Sequence, residues 1–343
     1  MCKHPLKGFQ IGITENGKPL YKICSYKVDH LEKYKGNWLK CESSFRSPYA
    51  EKCVTTFTEI PCGKCIDCKL QYSRQWADRC MFESEYYKPS ECWFLTITYN
   101  DESIMDIGSD IFAGTLDKTD LSAFLKRLRR HCEYHELSNG IRFYACGEYG
   151  TKTFRPHYHV ILYGLDLKKN DCLTPWIKSK SGFWTWRSPL LEKVWKKGYV
   201  VVSPISWDTC AYTARYVMKK VGGFTNDDYI AHGVEPEFVL MSRRPGIGRE
   251  YFDDNYKTIY EYDEVFIKGP DGGRKGKPPK YYDSLYEKVN PEHYKEIKET
   301  RRSIAEKARE LKMKNTGLSF EDILEIEEKV LQQKLKLLPR CYI

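Results

Sequence analysis

"CGEYGTKTFRPHYHVILYG", residues 146–164, is the stretch from which the rest of the chain can be read. Its second half places His157 and His159 one residue apart and then runs into Val160, Ile161 and Leu162. Side chains alternate faces along a strand, so the two imidazoles share one face. One histidine facing a core is usually a hydrogen-bonded structural residue; two on one face are as often metal ligands. The preceding segment, "IRFYACGEYG" (141–150), also reads as a strand, and the short Gly-containing loop between them predicts an antiparallel hairpin. That pairing sets Glu148 nearly opposite His157. Two imidazoles and a carboxylate, with positions left open, suit a catalytic divalent ion rather than a closed structural site. Mixed nitrogen and oxygen donors fit Mn²⁺ or Mg²⁺, and zinc is compatible with them too. The plainer alternative is that Glu148 caps the turn.

Outward from the hairpin, strands and helices alternate. "CWFLTITYN" (92–100) has the aromatic and β-branched content of a buried strand. "DKTDLSAFLKRLRRHCEYH" (117–135) carries helix start signals, then Leu121, Phe124, Leu125 and Leu128 at helical spacing, with a cationic opposite face. A short helix (188–198), a strand (199–205) and a helix opened near Ser206 and closed by Gly222–Gly223 follow. The expectation is an α+β domain around a central, mainly antiparallel β-sheet flanked by helices.

The helix at 206–221 carries Tyr212, Tyr216, Lys219 and Lys220, at positions i, i+4, i+7 and i+8 of one face. A phenol is a poor nucleophile near neutral pH because its pKa is about 10. A neighbouring cation eases its ionisation, and a metal polarising the electrophile lowers the remaining barrier. Tyrosine, lysine and an open metal site together describe phosphodiester transesterification. Taken alone, two tyrosines at this spacing more simply pack on the sheet.

Composition is consistent with that chemistry. The 343 residues carry a net charge of +9 with 26 Tyr and 15 Phe, a balance that suits phosphates and stacked bases. A merely soluble basic protein fits equally. Nothing at "MCKHPLKGFQ" resembles a signal peptide, and no stretch approaches the ~18 apolar residues of a membrane span. The expectation is therefore a reducing cytoplasm, where the 14 cysteines read as metal ligands or free thiols. No phosphate-binding G-x-x-x-x-G-K-[ST] loop is present; "GGRKGKPP" has the wrong spacing.

Most of residues 1–250 resembles the HUH-type rolling-circle replication initiators, and among them those of the gokushoviruses, small single-stranded DNA phages. The likeness rests on "FLTITYND" (94–101), "CGEYGTKTFRPHYHVILYG" (146–164), "YTARYVMKK" (212–220), the cysteines at 62–68 and "MSRRPGIG" (241–248). It implies an HUH endonuclease fold, with His157, His159 and Glu148 holding the metal and Tyr212 and Tyr216 acting as alternate nucleophiles. Lys219 or Lys220 would assist the phenolate or the scissile phosphate. The implied reaction nicks origin DNA, links a tyrosine to the 5′ phosphate, leaves a 3′-OH for the host polymerase, and later rejoins the displaced circle without ATP. Single-stranded DNA at the viral origin, a host helicase and a host polymerase would be the partners, in the bacterial host's cytoplasm and away from membranes. Relaxases and transposases of HUH type use the same chemistry, but relaxases commonly place the tyrosine first. A non-catalytic, zinc-containing nucleic-acid binding protein is the alternative of another class.

"CGKCIDC" spaces Cys62, Cys65 and Cys68 as C-x2-C-x2-C, one ligand short of a tetrahedral zinc site. Cys2, Cys24, Cys41 and Cys53 are the candidates for the fourth, and the resemblance favours Cys2. Free thiols are the alternative. Arg243 and Arg244, with Gly246 and Gly248, suggest either a phosphate-contacting DNA-binding loop or an ordinary turn held by Pro245. In "WIKSKSGFWTWR" (176–187) aromatics alternate with cations, as in single-strand binding, although tryptophans packed over a sheet read the same way. The expected organisation is a Cys-rich accessory segment and helix (1–88), a nuclease domain (89–250), a linker with a basic loop (251–290) and a helical C-terminal extension (291–343).

Overall fold

The computed structural model describes residues 2–105, 107–150, 153–178, 184–216, 226–269 and 272–336. They fall into two compact units, one made of residues up to Gln71 together with Ile304–Leu338, the other running from Tyr72 to Ser303.

In the first unit, residues 1–60, read as loop-like with a strand candidate at 9–13, form short strands instead. These are β1 (Leu6–Ile13), β2 (Pro19–Ser25), β3 (His30–Tyr34), β4 (Asn37–Cys41), β5 (Lys52–Val54) and β6 (Phe57–Ile60). They pair antiparallel as β2-β1-β6 and β4-β3-β5 around Phe9, Cys24, Val28, Leu31 and Val54. Most of their other side chains are exposed, and this diluted alternation is why the sequence pattern is weak.

Helix α1 (Ile66–Ser84) leads into the second unit, whose centre is β7 (Cys92–Tyr99), α2 (Lys118–Tyr134), β8 (Arg142–Tyr149) and β9 (Pro156–Tyr163). Asp117 caps α2, its carboxylate accepting the Thr119 and Asp120 amides. The segment 165–188, expected to be a polar connection, holds α3 (Leu167–Asn170), β10 (Thr174–Lys178) and β11 (Trp184–Arg187). Then follow α4 (Pro189–Trp195), β12 (Gly198–Pro204), α5 (Trp207–Tyr216), α6 (Asn226–Ala231) and β13 (Phe238–Met241). The strands make one seven-stranded sheet, β10-β11-β12-β7-β9-β8-β13, antiparallel at every junction among the described residues. This is the α+β architecture with an antiparallel sheet that the sequence implies.

Alternation divides the sheet into two faces. Trp93, Leu95, Ile97, Tyr158, Val160 and Leu162 share a core with Leu121, Phe124 and Leu128 of α2 and with Leu191 and Trp195 of α4. Cys92, Phe94, Tyr144, Ile161 and Tyr163 point the other way, toward Ala77 and Cys80 of α1 and Cys210, Ala211 and Ala214 of α5. The small residues of α1 and α5 let both helices lie close to the strands. Ser73 of α1 donates to the Ala211 carbonyl at 2.8 Å, and Trp207 of α5 donates to Asp78 at 2.7 Å.

Residues 251–290, expected to be a linker and basic loop, are structured instead. They contribute to α7 (Arg249–Tyr262), the hairpin β14 (Val265–Gly269) with β15 (Gly272–Gly276), and α8 (Lys280–Val289). Phe252, Ile259, Tyr260, Val265, Ile267, Tyr282 and Tyr286 bury themselves with Phe82 in a core of their own. The Gly, Pro and Lys residues that signal a linker sit at the hairpin and its flanks, and the spaced tyrosines supply the core. Two helices follow, α9 (Pro291–Thr316) and α10 (Phe320–Lys336), separated at Gly317, whose φ of +67° favours glycine.

Candidate metal and nucleophile site

The β8–β9 register pairs Glu148 with His157, and Cys146 with His159. These side chains share the face that α5 covers. Glu148 Oε2 lies 3.7 Å from His157 Nε2 and 3.3 Å from His159 Nε2, and one ligand atom from each residue lies within 4.8 Å of the others. Donors held about 2.1 Å from one ion, at the angles of tetrahedral or octahedral coordination, stand about 3.0–3.5 Å apart. The spacing fits a shared cation better than direct hydrogen bonds.

The opposite ring nitrogens fix the orientation. His157 Nδ1 lies 3.1 Å from the Arg155 carbonyl, which can only accept, so Nδ1 carries the proton and Nε2 presents its lone pair. His159 Nδ1 meets the Thr96 hydroxyl at 3.1 Å, and Phe94 stacks on the His159 ring at 5.2 Å. Tyr158, between the two histidines, points to the other face, where its hydroxyl bonds Tyr99 and the Asp117 backbone. The hairpin is thereby anchored from behind.

Burial opposes the Glu148 carboxylate, but the two imidazoles outweigh it and hold its pKa below the ordinary value. Burial also opposes a charged His157; Glu148 and the Arg155 carbonyl overcome this and raise its pKa. His159 is more fully desolvated, and its pKa falls despite Glu148. The set is one ionised carboxylate between two imidazoles, an appropriate donor group for a divalent ion.

Helix α5 brings Tyr212 to this cluster. Its ring packs edge-on against His159 at 5.2 Å and against Phe94 at 6.4 Å. Tyr216 is the last residue of α5 as described, one turn further along. The Tyr216 side chain, Lys219, Lys220 and the Gly222–Gly223 stop lie outside the described residues.

The same face extends across the sheet. Tyr199 pairs with Thr98, and Thr98 with His157, so Tyr199, Thr98, His157 and Glu148 form one cross-strand row. Tyr199 is 50% exposed, and the Arg187 guanidinium lies 4.9 Å from its ring and 5.4 Å from that of Trp176, itself 52% exposed. Of the 176–187 aromatics, Trp176 and Trp184 are thus surface groups rather than core.

Arg243 and Arg244 are exposed, but the structure does not bring them to the cluster. They follow Met241, which pairs with Tyr144, and the chain there runs on toward Arg142, away from Glu148. Four residues of strand, about 13 Å, separate Tyr144 from Glu148. The turn they begin is held from within the fold: Arg79 donates twice to the Ile247 carbonyl, Glu83 accepts the Gly248 amide, and Tyr282 donates to the Gly248 carbonyl. A Cβ on Gly248, whose φ is +71°, would stand 2.9 Å from both the Arg79 carbonyl and the Tyr282 hydroxyl.

Sequence reasoning missed Thr96, Phe94 and the Arg155 carbonyl. Of the three, Thr96 and Phe94 carried a signal, since inward-facing residues on the strand paired with His-x-His must touch those rings. In the first unit, Cys2, Cys62, Cys65 and Cys68 also converge, their sulfurs all within 4.8 Å of one another. Both groups are candidate metal-binding sites.

The comparisons with known proteins agree with this geometry. The family of replication-associated protein ORF2 matches residues 92–221, which span the hairpin and the tyrosine helix. The chain is 34% identical over 283 residues to replication-associated protein ORF2 of Spiroplasma virus 4, covering 82% of this chain and 85% of that one. It is 27% identical over 240 residues to replication-associated protein VP4 of Bdellovibrio phage phiMH2K, covering 69% and 70%. With replication-associated protein ORF4 of Chlamydia phage 1 it shares 29% over 231 residues, covering 67% of this chain and 54% of that one. No solved structure matches. The chain therefore belongs to the replication-associated proteins of small phages and is a replication initiator of the gokushovirus family.

Proposed function

We propose that the protein starts rolling-circle replication by nicking single-stranded DNA at the viral origin through a tyrosine, its sheet serving as an HUH endonuclease fold. One observation carries this reading: a carboxylate and two imidazoles converge beside the ring of Tyr212. His157, His159 and Glu148 would hold the cation, Mn²⁺ or Mg²⁺. Such an ion would polarise the scissile phosphate as a Lewis acid.

The remaining steps belong to the chain. Exposed Tyr199 and Trp176, with Arg187 between them, suit stacked bases and a phosphate, and lead a single strand along the row toward His157. The Tyr212 oxygen, having given up its proton, attacks phosphorus. A P–O bond to the tyrosine forms as the bond to the 3′ oxygen breaks, and that oxygen takes up a proton. The 5′ phosphate stays on the protein as a tyrosine ester, so the bond energy is retained. Tyr216 would act as the second nucleophile after one circuit, and the released 3′-OH would then reseal the displaced circle without ATP. Lys219 or Lys220 would stabilise the phenolate or the phosphate. Strand separation and synthesis would fall to a helicase and polymerase of the host cell. Among the described residues no helix is long and apolar enough to cross a membrane.

The test uses single-stranded oligonucleotides tiling the origin region of the parent genome, Mn²⁺ and a denaturing gel. A covalent adduct is expected, abolished by chelation and absent from the Tyr212→Phe, Tyr216→Phe double variant. An adduct that persists in that variant overturns the nucleophile assignment. No adduct on any oligonucleotide overturns the nuclease reading in favour of a non-catalytic binding protein.

A further inference from the structure

We propose that Cys2, Cys62, Cys65 and Cys68 bind one structural zinc ion, and that this ion holds the N-terminal segment in place as the docking point for α10. The sulfurs of Cys2 and Cys65 stand 3.8 Å apart. Four thiolates placed tetrahedrally at about 2.3 Å from one zinc stand about 3.8 Å apart. A disulfide would bring a pair to about 2.0 Å, and all four cysteines are free. An iron–sulfur cluster sets its cysteines on different irons and holds them further apart. Four sulfurs and no nitrogen or oxygen donor select a soft, tetrahedral ion and leave no open position, so the site is structural rather than catalytic.

The backbone is already shaped for thiolates. The Cys62 amide donates to Cys2 Sγ at 3.3 Å and the Lys3 amide to Cys65 Sγ at 3.5 Å. The Lys64 and Cys65 amides donate to Cys62 Sγ at 3.4 and 3.3 Å, in a turn that passes through Gly63 at a φ of +73°. Amide donors around each sulfur are what a deprotonated ligand needs.

The consequence reaches α10 through the two residues that follow Cys2. Lys3 Nζ contacts Glu327 at 2.5 Å and His4 Nε2 contacts Glu328 at 2.8 Å, both carboxylates on α10. That helix buries only Phe320, Ile323 and Leu324 among its described residues, so its docking depends heavily on these pairs. With no covalent tie at Cys2, Lys3 and His4 would belong to a free chain end, and each pair would carry the entropy of ordering it. The ion therefore links residues at opposite ends of the sequence. This inference is independent of the nuclease reading.

The full-length protein is purified with zinc present and its metal measured by mass spectrometry, alongside a His157→Ala, His159→Ala variant that removes the other candidate site. One tightly held zinc per chain is expected in both. Cobalt substitution should produce the strong visible bands of tetrahedral thiolate coordination together with thiolate-to-metal charge transfer. Removing the ion with a mercurial should raise hydrogen exchange about tenfold or more in residues 2–8 and 320–336, and leave the β8–β9 hairpin unchanged. Cys2→Ser should reproduce the α10 effect with the sheet intact. Absence of retained zinc, bound iron instead, or cobalt showing only weak oxygen- and nitrogen-type bands overturns the site. Zinc loss that leaves α10 protected overturns its role as a clasp.

Discussion

Glu148 and His157 oppose each other across the β8–β9 hairpin, carboxylate to imidazole at 3.7 Å, with His159 closing the third side at 3.3 Å from the same oxygen. The carboxylate is 2% exposed, so its charge is stabilised mainly by what the two rings and a shared cation supply. Replacing Glu148 with Gln keeps the shape and removes the charge. Cation affinity, read by manganese EPR titration, should fall about 100-fold. Thr96→Val, which releases the His159 ring from its orienting hydroxyl, should cost about tenfold. Wild-type affinity in both variants would mean that the cation, if bound, sits elsewhere.

The row from Tyr199 to His157 predicts a graded loss of single-strand binding. Adjacent strands lie about 4.8 Å apart, so Tyr199 is about 10 Å from His157, within reach of the next nucleotides. Tyr199→Ala and Trp176→Ala should each weaken binding of an origin oligonucleotide by about 1–3 kcal/mol, measured by fluorescence anisotropy. Arg243→Ala, at the far end of the sheet, should change it far less. If Arg243 matters most and the aromatics not at all, the strand takes another path.

How much of this is legible in the sequence depends on how local each feature is. The shared face of His157 and His159 follows from alternation, and the position of Glu148 from a short hairpin, so both are readable within one short stretch of chain. The amphipathic helix carrying Tyr212 is equally local. What holds these parts is not. The Ser73–Ala211 and Asp78–Trp207 bonds join positions 138 and 129 residues apart, and no periodicity announces them. The 265–276 hairpin is written in glycine and lysine because half of it faces solvent, which hides it behind a linker's composition. The "RRPGIG" turn is a related case. Its arginines suggest phosphate, whereas its glycines fit against Arg79 and Tyr281, contacts visible only once α1 and α8 are packed.

Asp78 shows how α5 is kept in register. It is 1% exposed and accepts from both Trp207 Nε1, at 2.7 Å, and Arg274, at 2.6 Å, while Arg274 also lies over the Trp207 ring. Asp78→Ala would leave a buried indole N–H and a guanidinium without their acceptor, and should destabilise the protein by about 3 kcal/mol in urea unfolding. Arg274 is 40% exposed on its side chain, so Arg274→Ala should cost under about 1 kcal/mol. Asp78→Asn, which still accepts from Trp207, should fall between the two. Equal losses for Asp78→Ala and Arg274→Ala would show that the ion pair, not the buried bond to Trp207, matters.

The docking of α10 should respond to acid in a defined window. Lys3, then Lys312, hold the Glu327 carboxyl at about 2, below its ordinary value of 4.5. A carboxyl with a lowered folded-state pKa stabilises the fold fully above its unfolded value, and that stabilisation drains away as pH falls through the folded one. The contribution should therefore be complete above about pH 4.5 and shrink toward about pH 2. Because Glu327 is 31% exposed, solvent screening reduces it to the order of 1 kcal/mol. Acid also protonates the four cysteines, so wild type alone would confound two effects. Glu327→Gln separates them: the stability gap between the two proteins should be about 1 kcal/mol at about pH 6 and close progressively below about pH 4.5. A gap that stays constant down to about pH 2.5 would assign it to packing rather than charge, and no gap at about pH 6 would mean the ion pairs leave α10 unstabilised.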